Sequence, residues 1–168
     1  SYSSSASDVY KRQIENDEMG WGLDASLELE KHCALVLDIH HHWIRDEEYI
    51  QANDDRVKRV VDSWRGSTPT LHYSYSRDEA LEPAGLGENI HSHMHDIKKL
   101  LELGCKKQKL RAHSDFFPNR AVNEWALSFG EYFDIQAEAK GKNLASQQLY
   151  DLFTVSYTHL TLPTSRSV

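Results

Sequence analysis

The sequence predicts an α/β fold in which parallel strands alternate with helices, and three observations predict it. First, Ala34-Leu35-Val36-Leu37 is apolar without alternation, so a strand here needs burial on both faces, as in a parallel sheet covered by helices. Second, that run stops abruptly in Asp38-Ile39-His40-His41-His42. Thr70-Leu71-His72 and Phe133-Asp134-Ile135-Gln136-Ala137-Glu138 likewise end in an imidazole or an acid. Strand ends are where such folds place their chemistry. Third, stripes with helical spacing separate the strands, which implies parallel pairing through crossovers. Three or four βα units are visible, which is half of an eight-fold barrel or a small open sheet. No GxGxxG or GxxxxGK[ST] loop occurs, which weighs against a nucleotide-binding open sheet.

Each element has its own justification. Residues 1–13 carry neither periodicity nor an apolar face, and residues 155–168 are similar. Both stretches resemble translated sequencing-adapter text and are expected to be tails around a domain spanning 14–154, with His159 left in the second tail. A short helix over 25–32 precedes the strand at 34–37. Asp54-Asp55 opens a helix whose Val57, Val60, Val61 and Trp64 follow the i, i+3, i+4, i+7 rule, and Gly66 is expected at its left-handed end. Pro69 precedes a strand over 70–74. Ile97, Leu100, Leu101 and Leu103 form a helical stripe closed by Gly104, and 109–112 reads as a short strand or extended loop. Asn119 is placed to cap a helix carrying Ala121, Val122, Trp125 and Phe129. After Gly130 come a strand over 133–137 and a last helix from about 143 to 152.

With 168 residues, 39% of them hydrophobic, the chain can bury one core of ordinary size. A formal charge of −7 argues against a broad basic surface for nucleic acid. Divalent cations held by acids would nevertheless return positive charge to the face that matters. No apolar run approaches the roughly 18–20 residues that span a bilayer, so no membrane association and a cytoplasmic location are expected. Cys33 and Cys105 lie outside any CxxC spacing and read as reduced, buried thiols.

The polar residues at predicted strand ends are Glu15, Asp38, His41, His72, His113 and Glu138. Carboxylates and imidazoles without thiolate suit manganese, zinc or iron(II), and several acids suit a cluster of ions. Such clusters activate water and stabilise both oxygens of a phosphodiester displacement. His40 and His42 flank His41 on a strand end, where alternate side chains face opposite ways, and are expected outside the site. His91, His93 and His95 read as a solvated face. Glu15 alone, within the acidic string 15–18, reads as a helix-start carboxylate more readily than as a ligand.

Five strings together resemble the motifs of the UV damage endonuclease family: Ile14-Glu15-Asn16-Asp17-Glu18, Leu37-Asp38-Ile39-His40-His41, Leu71-His72-Tyr73-Ser74, Arg111-Ala112-His113-Ser114-Asp115-Phe116 and Glu138-Ala139-Lys140-Gly141-Lys142. The resemblance implies a TIM barrel related to the AP endonucleases called endonuclease IV, of which this chain resembles the C-terminal half. It implies an enzyme that nicks damaged double-stranded DNA 5′ to ultraviolet photoproducts, with a divalent-metal cluster, usually manganese. No obligate protein partner is expected. By position, Glu15, Asp38, His41, His72, His113 and Glu138 resemble metal ligands, with Glu15, Asp38 and Glu138 as the catalytic carboxylates and Lys140 and Lys142 as phosphate contacts. Thr70 stands where some members carry a ligand lysine, and the segment 77–108 reads as an insertion. The family's damage-probing residues belong to the half preceding Ile14, and half a barrel exposes strand edges and apolar faces, so the chain alone is expected to be poorly soluble or partly molten and nearly inactive. The alternatives are an AP endonuclease or xylose-isomerase-like barrel, which share these donors, and an inactive metal-binding module.

Overall fold

The computed structural model describes residues 12–161, so the tail assignments for 1–11 and 162–168 lie outside the described residues. Four short strands form one parallel sheet: β1 (Gln13–Glu15), β2 (Ala34–Asp38), β3 (Thr70–Tyr73) and β4 (Asp134–Ala137). Their spatial order is β1-β2-β3-β4, and each pairs in parallel with the next. Every crossover therefore moves one place in the same direction, whereas a doubly wound sheet reverses at a switch point. The α/β prediction and all three predicted strands stand, and β1 adds a fourth.

Register divides the sheet into two unlike faces, because side chains at paired positions project to the same side. Leu35 pairs with Ile14, Leu37 with Leu71, and Leu71 with Ile135. This apolar face joins the main core, with Leu37 and Leu71 fully buried. The opposite face carries Glu15 beside Val36, and the row Asp38, His72, Gln136. There Ala34 and Val36 pack under Trp64, whose indole N–H donates to the Leu35 carbonyl at 2.7 Å. β2 is buried at all five positions, as its unbroken apolar run requires.

The helices follow their capping signals. After α1 (Leu23–Leu27), shorter than the predicted 25–32, comes α2 (Ile39–Asp46), which the sequence reading missed. Asp38 ends the strand and caps that helix in one residue, so His40, His41 and His42 are helical rather than alternating along a strand end. Asp54 caps α3 (Asp55–Ser63) through the Arg56 amide. Its left-handed exit begins at Arg65 (φ 51°) and continues at Gly66 (φ 89°), one residue earlier than expected. α4 (Asp78–Leu81) and two 3-10 turns lead to α5 (Ile97–Glu102), capped by Asp96 and left through Gly104 at φ 103°.

The strand or extended loop expected over 109–112 is instead α6 (Lys107–Leu110). One helical turn buries Leu110 completely and points its carbonyl at His40 Nε2, 3.0 Å away. α7 (Arg120–Leu127) begins at Asn119, whose side chain accepts from the Val122 amide. α8 (Asn143–Thr161) runs through the boundary drawn at residue 154. Its Ala145 and Leu149 pack into the core. An edge-to-face chain of Tyr49, Trp125, Phe129 and Phe133 ties α7 to the segment before β4. Both cysteines are free and buried, as expected. No helix among the described residues is long and apolar enough to cross a membrane.

Candidate metal centre

The polar side of the sheet becomes a site at the C-terminal ends of the strands. Asp38 is fully buried. Its Oδ1 accepts from the His41 amide at 2.8 Å and so starts α2. Asn16, just beyond β1, clamps the Asp38 backbone from both sides: its amide group donates to the Asp38 carbonyl (2.9 Å) and its carbonyl oxygen accepts from the Asp38 N–H (2.8 Å). With its position thus fixed, Asp38 has one oxygen left over. Oδ2 is buried without a hydrogen-bond partner and lies 3.3 Å from His41 Nδ1.

His72, one strand over in register with Asp38, carries the second orphan. Its Nδ1 is buried, 3.1 Å from Glu15 Oε1 and 3.5 Å from Glu138 Oε1, yet aligned for a hydrogen bond with neither. Glu15, Asp38 and His72 offer ligand atoms that all lie within 4.8 Å of one another. Buried polar atoms without partners are costly and rare. Two of them facing a half-buried carboxylate, with oxygen and imidazole nitrogen as the only donors, fit a divalent cation.

His41 completes the wall. Its Nδ1 lies 3.0 Å from the Asn16 carbonyl, which only accepts, so that nitrogen carries a proton. Nε2 faces Glu18 Oε2 at 3.3 Å. Charges are strongly coupled here. Burial pushes the Asp38 carboxyl up to about 7, helped by the negative Glu15, although His41 opposes it. Burial works against a charged His41, but Asp38, Glu18 and Glu15 outweigh it and raise its pKa. Pairing with Glu15 lifts His72 against burial. Burial alone would raise Glu15, yet His72 and His41 hold it below the usual carboxylate range.

The structure thus brings together five of the sequence-predicted ligands: Glu15, Asp38, His41, His72 and Glu138. His113 stands beside them, with Glu138, His41 and Glu18 in its electrostatic surroundings and burial lowering its pKa. Its segment is pinned through the Ser76–His113 bridge. Lys140 lines a neighbouring cavity of about 470 Å³ with Arg77, His91, Ser114 and Phe116, and Lys142 sits at a left-handed turn (φ 49°). Thr70 lies two residues before His72, on the same side of β3.

His40 and His42 lie outside the group, as expected. His42 is instead buried between Asp46 (3.1 Å) and Glu48 (2.7 Å). The solvated face expected for 91–95 applies to His93 alone. His91 is half-buried and pairs with Asp78 at 3.1 Å, while His95 is buried with its ring against the Ile90 carbonyl. Asn16 and Glu18 are participants that sequence reasoning missed. Of the five residues in the string 14–18 only Glu15 carried an expected role, and nothing in the string marks Asn16 and Glu18 as the buried members.

A parallel α/β sheet wound in one direction, with acids and imidazoles gathered beyond its strand ends, has the arrangement in which folds of this class place their chemistry. The particular family follows from comparison with known proteins. The family model described as UV-endonuclease UvdE matches residues 4–166, and the chain belongs to that family of DNA endonucleases, which are hydrolases. No curated protein and no solved structure shows significant similarity to the chain.

Proposed function

We propose that this chain carries the metal-binding hydrolytic centre of an endonuclease that cleaves damaged DNA 5′ to ultraviolet photoproducts and so opens excision repair. The observation that supports it is the convergence of Glu15, Asp38 and His72 around two orphaned buried atoms, in a chain of the UV-endonuclease family. Glu15, Asp38 and His72 would hold a divalent ion, manganese by the family resemblance, with His41, Glu138 and His113 as further ligands. Bound there, it would supply water activation and neutralisation of charge on the phosphodiester.

The chain's own residues do the positioning. Asn16 fixes Asp38 through two main-chain hydrogen bonds, and the Asn16 carbonyl keeps a proton on His41 Nδ1. Glu15 and Glu138 flank the His72 imidazole and place negative charge beside it. Lys140 and Lys142, on the loop that follows β4, would meet the DNA backbone. We read the four strands as consecutive members of an eight-stranded barrel, because their unreversed order is the winding of such a barrel. The substrate is ultraviolet-damaged duplex DNA. The free, buried Cys33 and Cys105 suit a reducing compartment such as the cytoplasm.

The test is a nicking assay. Ultraviolet-irradiated supercoiled plasmid, incubated with the full-length protein and manganese, should relax to open circle, and chelator should stop it. Relaxation of depurinated but not irradiated plasmid would favour an AP endonuclease. Metal uptake with the plasmid unchanged would mark a non-catalytic module.

A further inference from the structure

We infer that Arg111 is a DNA phosphate-binding residue, aimed by the buried carboxylate of Glu18; this rests on the endonuclease reading. Glu18 is a charged side chain only 3% exposed, and its two oxygens divide their work. Oε2 lies 3.3 Å from His41 Nε2, and Oε1 lies 2.8 Å from Arg111 Nε. A carboxylate is buried at this depth only when it is paired. Arg111 supplies that pairing from the outside, since its own side chain is 55% exposed.

The geometry leaves a purpose unassigned. Nε forms an ion pair with Glu18 at 2.8 Å, while the terminal nitrogens of Arg111 make no hydrogen bond or ion pair among the described residues. A guanidinium paired through its Nε side keeps an outer edge whose N–H groups form a planar fork, which matches the oxygens of a phosphate. Its location agrees. Arg111 follows α6 directly and lies two residues before His113, and the Ala112 carbonyl between them accepts from the Arg77 N–H at 2.9 Å. The next residues are bonded to the loop after β4, Lys140 N–H to the Ser114 carbonyl (3.0 Å) and Gly141 N–H to the Asp115 carbonyl (2.9 Å). One carboxylate therefore separates the cation from His41, on the edge of the sheet where the metal centre lies. In a chain of net charge −7, a fixed local cation is what an anionic polymer needs for a register.

The experiment measures binding of a short ultraviolet-irradiated duplex to the full-length protein over a series of salt concentrations, without divalent metal so that no cleavage occurs. Neutralising one phosphate contributes about 0.9 to the slope of log affinity against log salt. Arg111→Ala should lower the slope by about one and weaken binding roughly tenfold near 0.1 M salt. Arg111→Lys keeps a cation beside Glu18 and guards against misfolding; it should keep most of the slope while binding more weakly than wild type, having lost the fork. Unchanged slope and affinity in a folded Arg111→Ala, with wild type still nicking irradiated plasmid, would overturn the assignment of Arg111 alone. Absence of both nicking and duplex binding in wild type would overturn the endonuclease reading and this inference together.

Discussion

Asp38→Asn separates what the metal centre costs the fold from what it does for chemistry. Asn retains the oxygen that accepts the His41 amide, so the start of α2 survives, and its new N–H groups face the Glu15 carboxylate. The change removes the negative charge. In the native chain, burial raises the Asp38 carboxyl from 3.8 to about 7, so the folded state holds its proton longer than the unfolded state. Stability therefore falls as pH rises from about 4 to 7 and stays lowered above it. At roughly 1.4 kcal/mol per pH unit, the deficit at pH 8 is on the order of 4 kcal/mol. Urea unfolding at pH 8 in chelator should show Asp38→Asn more stable than wild type by an amount of that order, and at pH 4 the two should converge. Excess manganese should stabilise wild type and leave the variant nearly unmoved, while nicking by the variant is lost. If Asp38→Asn is no more stable than wild type at pH 8 in chelator, the account of a strained, metal-requiring carboxylate is wrong.

Three further outcomes follow from the same geometry. Asn16→Ala strips the buried Asp38 N–H and carbonyl of their partners and should cost about 2–4 kcal/mol in chemical denaturation; a loss under about 1 kcal/mol would show that water replaces the clamp. In Gly141→Ala the added methyl would sit 2.6 Å from the Asp115 carbonyl oxygen, which belongs to backbone and cannot swing aside. It should lower the melting temperature, with a cost of about 1–3 kcal/mol, and depress nicking by displacing the loops that carry His113 and Lys140. His40 is held neutral, burial carrying its pKa from 6.5 down to about 3. Acid protonates it only in the unfolded chain, so stability should fall below pH 6.5, by about 2 kcal/mol at pH 5, and His40→Gln should flatten that part of the profile.

The strands were legible because β2 is an apolar run that stops at Asp38, while β3 and β4 are short stretches that reach His72 or end just before Glu138. Caps were legible where Asp54 and Asn119 precede an apolar stripe. The helix over 39–46 escaped because its first turn is three histidines, residues without strong helix preference, and because Asp38 was read as the end of a strand rather than also the start of a helix. Four residues at 107–110 are too few to show a period, and tertiary burial of Leu110 decides their conformation. Among the site residues, Glu15, Asp38, His41, His72 and Glu138 could be chosen by type and position. Asn16 and Glu18 could not, since an acidic string gives no sign of which members turn inward; only the fold shows that Asn16 is nearly inaccessible while Asp17 is exposed.

The two unlike faces of the sheet bear on how this chain tolerates change. At the C-terminal ends of β2 and β3 successive residues alternate between a side packed into the main core and a side turned to the candidate metal centre. Leu37 and Leu71 answer to the first, Asp38 and His72 to the second, although each pair adjoins in sequence. A slip of one residue in strand register would exchange the two sets at once, putting leucine into the site and carboxylate into the core. Under the proposed function the same strand alignment serves both the core and the candidate metal centre, so a change of register would disrupt both at once.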